Sequence, residues 1–180
     1  YKKSINEQFK DEEIFFIIKE ILNGVLYLQR HIPIRILNPH QIIINTNNIK
    51  LIDFILNNYI NSSTASEITS NLPIKEFFAP EIFDNIHINN EKTLIYSLGV
   101  ILYKMITLDE EEITPFFIFS EKKKIHTKIN QFLTTIITKF PENRINLLDN
   151  FIISFESIYQ NIQLRPSTIV ISDNIKKLHT

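Results

Sequence analysis

The sequence predicts an α+β fold, mainly α-helical with one small β-hairpin. Two patterns carry this expectation. Apolar residues recur at three- and four-residue steps in several separate stretches, as one face of an amphipathic helix requires. After the first of them come two short Ile-rich runs, Gln41–Asn45 and Ile49–Asp53, joined by an Asn-rich turn at Thr46-Asn47-Asn48. That is the composition of a paired strand unit. A chain of 180 residues, 44% hydrophobic and 22% charged, suits one globular domain with a substantial core.

Taken in order, Tyr1 to Lys10 is polar and shows no clear period. Asp11 is placed to cap the first helix, with Glu12 and Glu13 in its first turn complementing the helix dipole. Ile14, Ile18, Ile21, Val25 and Leu28 form its apolar stripe, and Pro33 ends it. Gly24 interrupts that helix at a cost of about 1 kcal/mol against Ala, which suggests close packing there. The hairpin follows, and from Ile55 to Phe78 the chain is rich in Asn, Ser and Thr. Leu94 to Ile106 is apolar almost all round, the mark of a helix buried through a domain centre. Ile129, Phe132, Leu133, Ile136 and Phe140 make another helical stripe, ended by Pro141, and Leu148, Phe151, Ile152, Phe155 and Tyr159 mark a final helix. The tail after Gln160 is polar with one strand-like run, Ser167–Ser172.

Composition excludes several classes. A net charge of −1 gives no strong electrostatic pull toward nucleic acid or an anionic membrane. The absence of Cys rules out a disulfide framework, a thiol nucleophile and a thiolate metal site, and it fits a reducing compartment, so the cytoplasm is the expected location. No apolar run reaches the roughly 18 residues of a membrane span, and the five His residues show no metal-ligand spacing. The run Lys122-Lys123-Lys124, after Glu121, reads as a solvated segment. The chain opens on Tyr1, not Met, and is expected to be a piece of a longer protein. Its wealth of Ile, Asn, Lys and Phe is typical of AT-rich coding sequence, in which drift alone can replace Asp by Ile.

The stretch Ile34-Arg35-Ile36-Leu37-Asn38-Pro39-His40-Gln41, followed by Asp53-Phe54-Ile55, resembles the catalytic loop and metal-binding triplet of eukaryotic-type protein kinases. That family reads His-Arg-Asp-Leu-Lys-Pro-x-Asn and then Asp-Phe-Gly. Its His falls on Ile34, its Arg on Arg35, its base Asp on Ile36, its Lys on Asn38 and its metal-binding Asn on Gln41. Further on, Ala79-Pro80-Glu81 matches Ala-Pro-Glu, Ser97 to Tyr103 is similar to the family's central helix, and Thr114-Pro115-Phe116 resembles its Pro-Phe turn. Pro141-Glu142-Asn143-Arg144 matches Pro-x-x-Arg. The threonine kept upstream of Ala-Pro-Glu falls on or beside Ile74, and the central-helix Asp that ties down the catalytic loop falls on Leu94 or Thr93. The helix before the stripe at Ile129 comes out shortened or absent.

The resemblance implies a protein-kinase-like C-terminal lobe over residues 1–160, with a catalytic-loop region at 34–41, an activation segment at 53–81 and a central helix at about 94–107; residues 161–180 are a tail. The smaller N-terminal lobe, with its glycine-rich loop and ATP-contacting lysine, is not in this chain. No catalytic residue is intact. Ile36 cannot receive the substrate hydroxyl proton, Asn38 brings no charge, and Gln41 carries the same amide one methylene further out, where it could replace the Asn weakly. Asp53 is the one metal-type ligand in place, read either as a residual Mg-ATP ligand or as an Asp capping a turn. Ile55 replaces a flexible Gly. Arg35, Phe54, Glu81 and Arg144 are read as structural, the last two as positions of a buried ion pair in the family. Ile34 and Leu94 replace two polar partners by two aliphatic ones, a change that can be nearly neutral. A phosphate on Ser62–Ser66 could pair with Arg35, although such clusters are more commonly solvated loop.

The expected function is that of a pseudokinase, binding a protein partner or regulating a true kinase, with Mg²⁺ and ATP held weakly or not at all. The alternatives are an unusual active Ser/Thr kinase and a decayed structural lobe with only a partner-binding role. Neither a nucleic acid nor a membrane is expected as a partner.

Overall fold

In the computed structural model, residues 9–45, 48–54, 57, 74–84, 89–108 and 127–161 are described. Among them are five α-helices and one two-stranded antiparallel sheet, so the mainly helical α+β expectation holds. The turn at Thr46-Asn47, Ile55, the Ser62–Ser66 cluster, Thr114-Pro115-Phe116, the Lys122–Lys124 run, the helix expected to be shortened and the Ser167–Ser172 run lie outside the described residues.

Helix α1 spans Asp11–Gln29. Lys10, not Asp11, holds the cap position, and its N–H donates to the Glu13 carboxylate at 2.8 Å. Asp11, Glu12 and Glu13 all lie inside the first turn, where they complement the exposed N–H groups. Ile14, Ile17, Ile18, Ile21, Leu22 and Val25 form the buried face. The helix stops four residues before Pro33, with the Arg30 and His31 N–H groups closing on the Tyr27 and Leu28 carbonyls. The proline is thus not what ends it.

The hairpin pairs β1, Ile42–Ile44, with β2, Ile49–Leu51, in the register Ile42↔Leu51, Ile43↔Lys50 and Ile44↔Ile49. Both strands are shorter than the Ile-rich runs. Gln41 is drawn into a 3-10 turn, Pro39–Gln41, although its carbonyl still accepts the Ile52 N–H at 2.9 Å. β2 lies against α1, and a Cβ on Gly24 would meet Leu51 Cδ1 at 3.0 Å. The close packing suggested by Gly24 is that contact.

A four-residue helix α2, Pro80–Phe83, precedes the central helix α3, Asn90–Thr107. α3 starts four residues ahead of the apolar run because Asn89 caps it, its side-chain oxygen accepting the Glu91 and Lys92 N–H groups at 3.1 Å each. α3 is buried on nearly every side, against α1, the 3-10 turn Lys75–Phe77, α4 (Thr127–Ile136) and α5 (Leu148–Asn161). Aromatic rings close the far side: Phe132 meets Phe151 edge-on at 5.1 Å, and Phe15 of α1 stacks on Tyr159 of α5 at 4.0 Å. Among the described residues no helix is long and apolar enough to cross a membrane.

The two glycines test this packing in opposite ways. A Cβ on Gly99 would lie 2.8 Å from Ile137 Cγ1 and 2.9 Å from Ile136 Cγ1, branched side chains near the chain they grow from. Gly99→Ala is expected to lose about 1–3 kcal/mol to overpacking, less up to about 1 kcal/mol of helix propensity. Gly24→Ala meets only the flexible end of Leu51 and is expected to be near neutral. Urea denaturation of the two variants checks the contrast, and equal losses would count against it.

Candidate functional site

The loop entering the hairpin turns its apolar residues inward. Ile34, Ile36 and Leu37 are fully buried in the core. Ile36, at the base position of the resemblance, therefore packs into the core of the described residues. The polar positions of the loop are consumed locally. The Asn38 N–H and Nδ2 both donate to Gln41 Oε1, at 3.0 and 2.8 Å, while Asn38 Oδ1 accepts the His40 N–H at 3.0 Å. Gln41 Nε2 donates to the Asp53 carbonyl at 2.7 Å. Both amides are buried. The extra methylene of Gln41 lets its amide fold back on the loop and reach the end of β2 at the same time, so both ends of that amide are occupied.

Asp53 stands exposed just past β2, with a left-handed backbone at φ 54°, a region Asp tolerates better than most residues. Phe54 beside it is half-buried and packs on the core. Among the described residues no cluster of three or more His, Cys, Asp or Glu could hold a metal. Among the described residues the donors do not fit a two-magnesium nucleotide site: Asp53 is the carboxylate at the matching position, and the amide at the second position is engaged elsewhere. A cavity of about 160 Å³ opens beside the hairpin, lined by side chains such as Ile17, Ile21, Ile42, Ile44, Ile101 and Met105. Among the described residues its lining includes the Lys104 side chain and no carboxylate.

Arg35 is held on three sides. Its Nη1 donates to the Asn57 carbonyl at 2.9 Å and its Nε to Asn90 Oδ1 at 2.7 Å. In return, Asn57 Oδ1 accepts the backbone N–H of Arg35 at 2.6 Å and that of Ile36 at 3.1 Å. Burial lowers the pKa of the guanidinium from its usual value. Asn57 is the residue the sequence reading missed. It lies in a stretch full of Asn and Ser, and nothing in the one-dimensional pattern sets it apart from its neighbours.

Glu81 and Arg144 meet beside the first turn of α3, where Arg144 reaches the Lys92 carbonyl. Two parallel hydrogen bonds, 2.6 and 2.8 Å, join the guanidinium to both carboxylate oxygens, and both side chains are almost wholly buried (0% and 1% exposed). Arg144 also donates to the carbonyls of Thr138, Lys92 and Lys139 at 2.9, 3.1 and 3.2 Å. Its cation lies 5.0 Å from the centre of the Tyr96 ring. Burial pushes the Tyr96 phenol up to about 12, and the Arg144 charge works against that rise. The same end of α3 holds its neighbours by side chains: Glu91 Oε1 accepts the Leu148 N–H at 2.9 Å, and Lys92 Nζ donates to the Pro141 carbonyl at 2.8 Å. Arg35, Asn38, Gln41 and Asp53 are thus brought to one end of the hairpin, while Glu81 and Arg144 form a separate structural centre.

Comparison with known proteins agrees with this architecture. The sequence model of the protein kinase domain matches residues 1–178. Two proteins of Dictyostelium discoideum named as probable serine/threonine-protein kinases are similar to this chain. One is 35% identical over 116 residues (56% of this chain), the other 26% identical over 147 residues (75% of this chain). A protein of Acanthamoeba polyphaga mimivirus, provisionally named a serine/threonine-protein kinase, is 26% identical over 156 residues (79% of this chain). The chain spans 17% of each Dictyostelium relative and 56% of the viral one. Helical architecture, hairpin and motif order all agree with that match: the chain belongs to the protein kinase domain family.

Proposed function

We propose that this chain is a pseudokinase lobe, acting through a protein partner or by regulating a true kinase, and not by transferring phosphate itself. The observation that carries this reading is the buried loop: Ile36 occupies the base position inside the core, and the Asn38 and Gln41 amides are spent on each other and on the Asp53 carbonyl. Phosphoryl transfer depends on positioning and on compensating charge. The described loop supplies neither a proton acceptor nor a cation aimed at a phosphate. The family uses ATP and Mg²⁺; here Asp53 is the residue that would contact the metal, and binding through it alone is weak. A cytoplasmic protein partner suits the near-neutral charge and the lack of Cys.

A second reading, an unusual active Ser/Thr kinase, is favoured by the exposed Asp53 at the end of β2 and by the names of the relatives. Thermal unfolding of the full-length protein carrying this chain separates the two. With millimolar ATP, with and without Mg²⁺, the melting temperature is expected to rise by less than about 2 °C, and labelled phosphate is not transferred. Nucleotide at a hundred times its dissociation constant would add about 2.7 kcal/mol, roughly 5–10 °C for a domain of this size. A shift of that size, dependent on Mg²⁺ and lost in Asp53→Ala, together with phosphate transfer, would establish the second reading.

A further inference from the structure

We propose that Asn57 is a latch that makes the 34–37 loop and the chain leaving β2 one cooperative unit, so that displacement of the Asp53 end is transmitted to the loop. The clasp runs in both directions. The Asn57 side chain takes the backbone N–H groups of Arg35 and Ile36, and its Nδ2 donates to the Ile36 carbonyl at 3.4 Å. The Arg35 side chain in turn holds the Asn57 carbonyl. The Asn57 N–H donates to the Phe54 carbonyl at 3.0 Å, which fixes the latch to the residue next to Asp53. Arg35 Nε on Asn90 Oδ1 extends it to the first turn of α3.

The chemistry makes this latch selective. Two loop N–H groups share one amide oxygen as their acceptor among the described residues, and Asn57 is buried (2% exposed). Without that oxygen, two donors lose their partner away from water, each at a real desolvation cost. At the two positions to which the resemblance assigns an acceptor on α3, Leu94 is aliphatic and the Thr93 hydroxyl is turned back to the Asn89 and Asn90 carbonyls, at 3.1 and 2.9 Å. The acceptor has thus moved from the rigid central helix to the chain that follows β2. Loop order then depends on where that chain lies, whether or not the lobe transfers phosphate; the inference does not rest on the proposed function.

Amide hydrogen exchange at single-residue resolution, on the full-length protein, tests it. In Asn57→Ala the Arg35 and Ile36 amides are expected to exchange at least about tenfold faster, while Val100 and Leu102 in α3 keep their rates. Asn57→Asp retains an acceptor and is expected to keep both loop amides slow. Unchanged exchange at Arg35 and Ile36 in Asn57→Ala overturns the latch, as does equal acceleration at Val100 and Leu102. Should Asn57→Ala not fold, the unsubstituted protein decides. In low denaturant the Arg35, Ile36 and Asn57 amides are expected to share one opening free energy and one denaturant slope, and three independent slopes would overturn the proposal.

Discussion

Arg144→Ala is expected to lower the stability of this lobe by about 3–5 kcal/mol, which lowers the melting temperature by about 6–20 °C. The magnitude follows from what the substitution leaves behind. Glu81 is almost fully buried, and both its carboxylate oxygens are bonded to the guanidinium. Removing the cation strands that charge in the core and also takes away its bonds to the carbonyls of Thr138, Lys92 and Lys139. Arg144→Lys is expected to recover only part of the loss, because one ammonium cannot match a planar fork that serves two oxygens and three carbonyls together. Urea midpoints read both variants, and an unchanged midpoint for Arg144→Ala would mean that the pair is hydrated in solution.

Ile36→Asp is the second large effect, and it bears directly on function. Restoring the family's acidic residue is expected to destabilise the lobe by about 3 kcal/mol or more without producing phosphate transfer, since Ile36 sits in the core at 1% exposure. Burial raises the pKa of the new carboxyl above its unfolded value of about 4. The native state then holds its proton to higher pH than the unfolded chain does. Relative to the parent, the variant's stability therefore falls as pH rises from about 4 through the raised pKa, and the deficit is smallest in acid. Parallel pH series of urea midpoints measure the slope. A variant as stable as the parent at neutral pH, or one that transfers phosphate, would show that the loop can turn Ile36 outward.

Much of the fold was legible because it rests on periodicity. The stripes at Ile14–Val25, Ile129–Ile136 and Leu148–Phe155 and the all-round apolar run of α3 are one-dimensional records of which faces are buried. Boundaries were less legible, since they depend on local hydrogen bonds. Asn89 starts α3 ahead of its apolar residues, and the turn at Pro39–Gln41 shortens the first strand. At the candidate site, single letters put apolar or amide residues where the resemblance expects charged ones, Ile36 above all. They could not show what the replacements do. That Gln41 folds back onto Asn38 and the Asp53 carbonyl, and that Asn57 supplies the loop's acceptor, are contacts between residues 3 to 22 positions apart. No spacing rule encodes them.

The Glu81–Arg144 pair has a consequence for time as well as for equilibrium. It joins residues 63 positions apart, so the chain between them must be closed before the bond can form, at an entropic cost that short-range helical contacts do not carry. Arg144→Ala separates two cases: a pair formed before the folding barrier slows refolding when lost, and one formed after it speeds unfolding. Stopped-flow rates of the variant are expected to show faster unfolding with refolding little changed, which would make the pair a brake on opening; slowed refolding would place it in the folding nucleus.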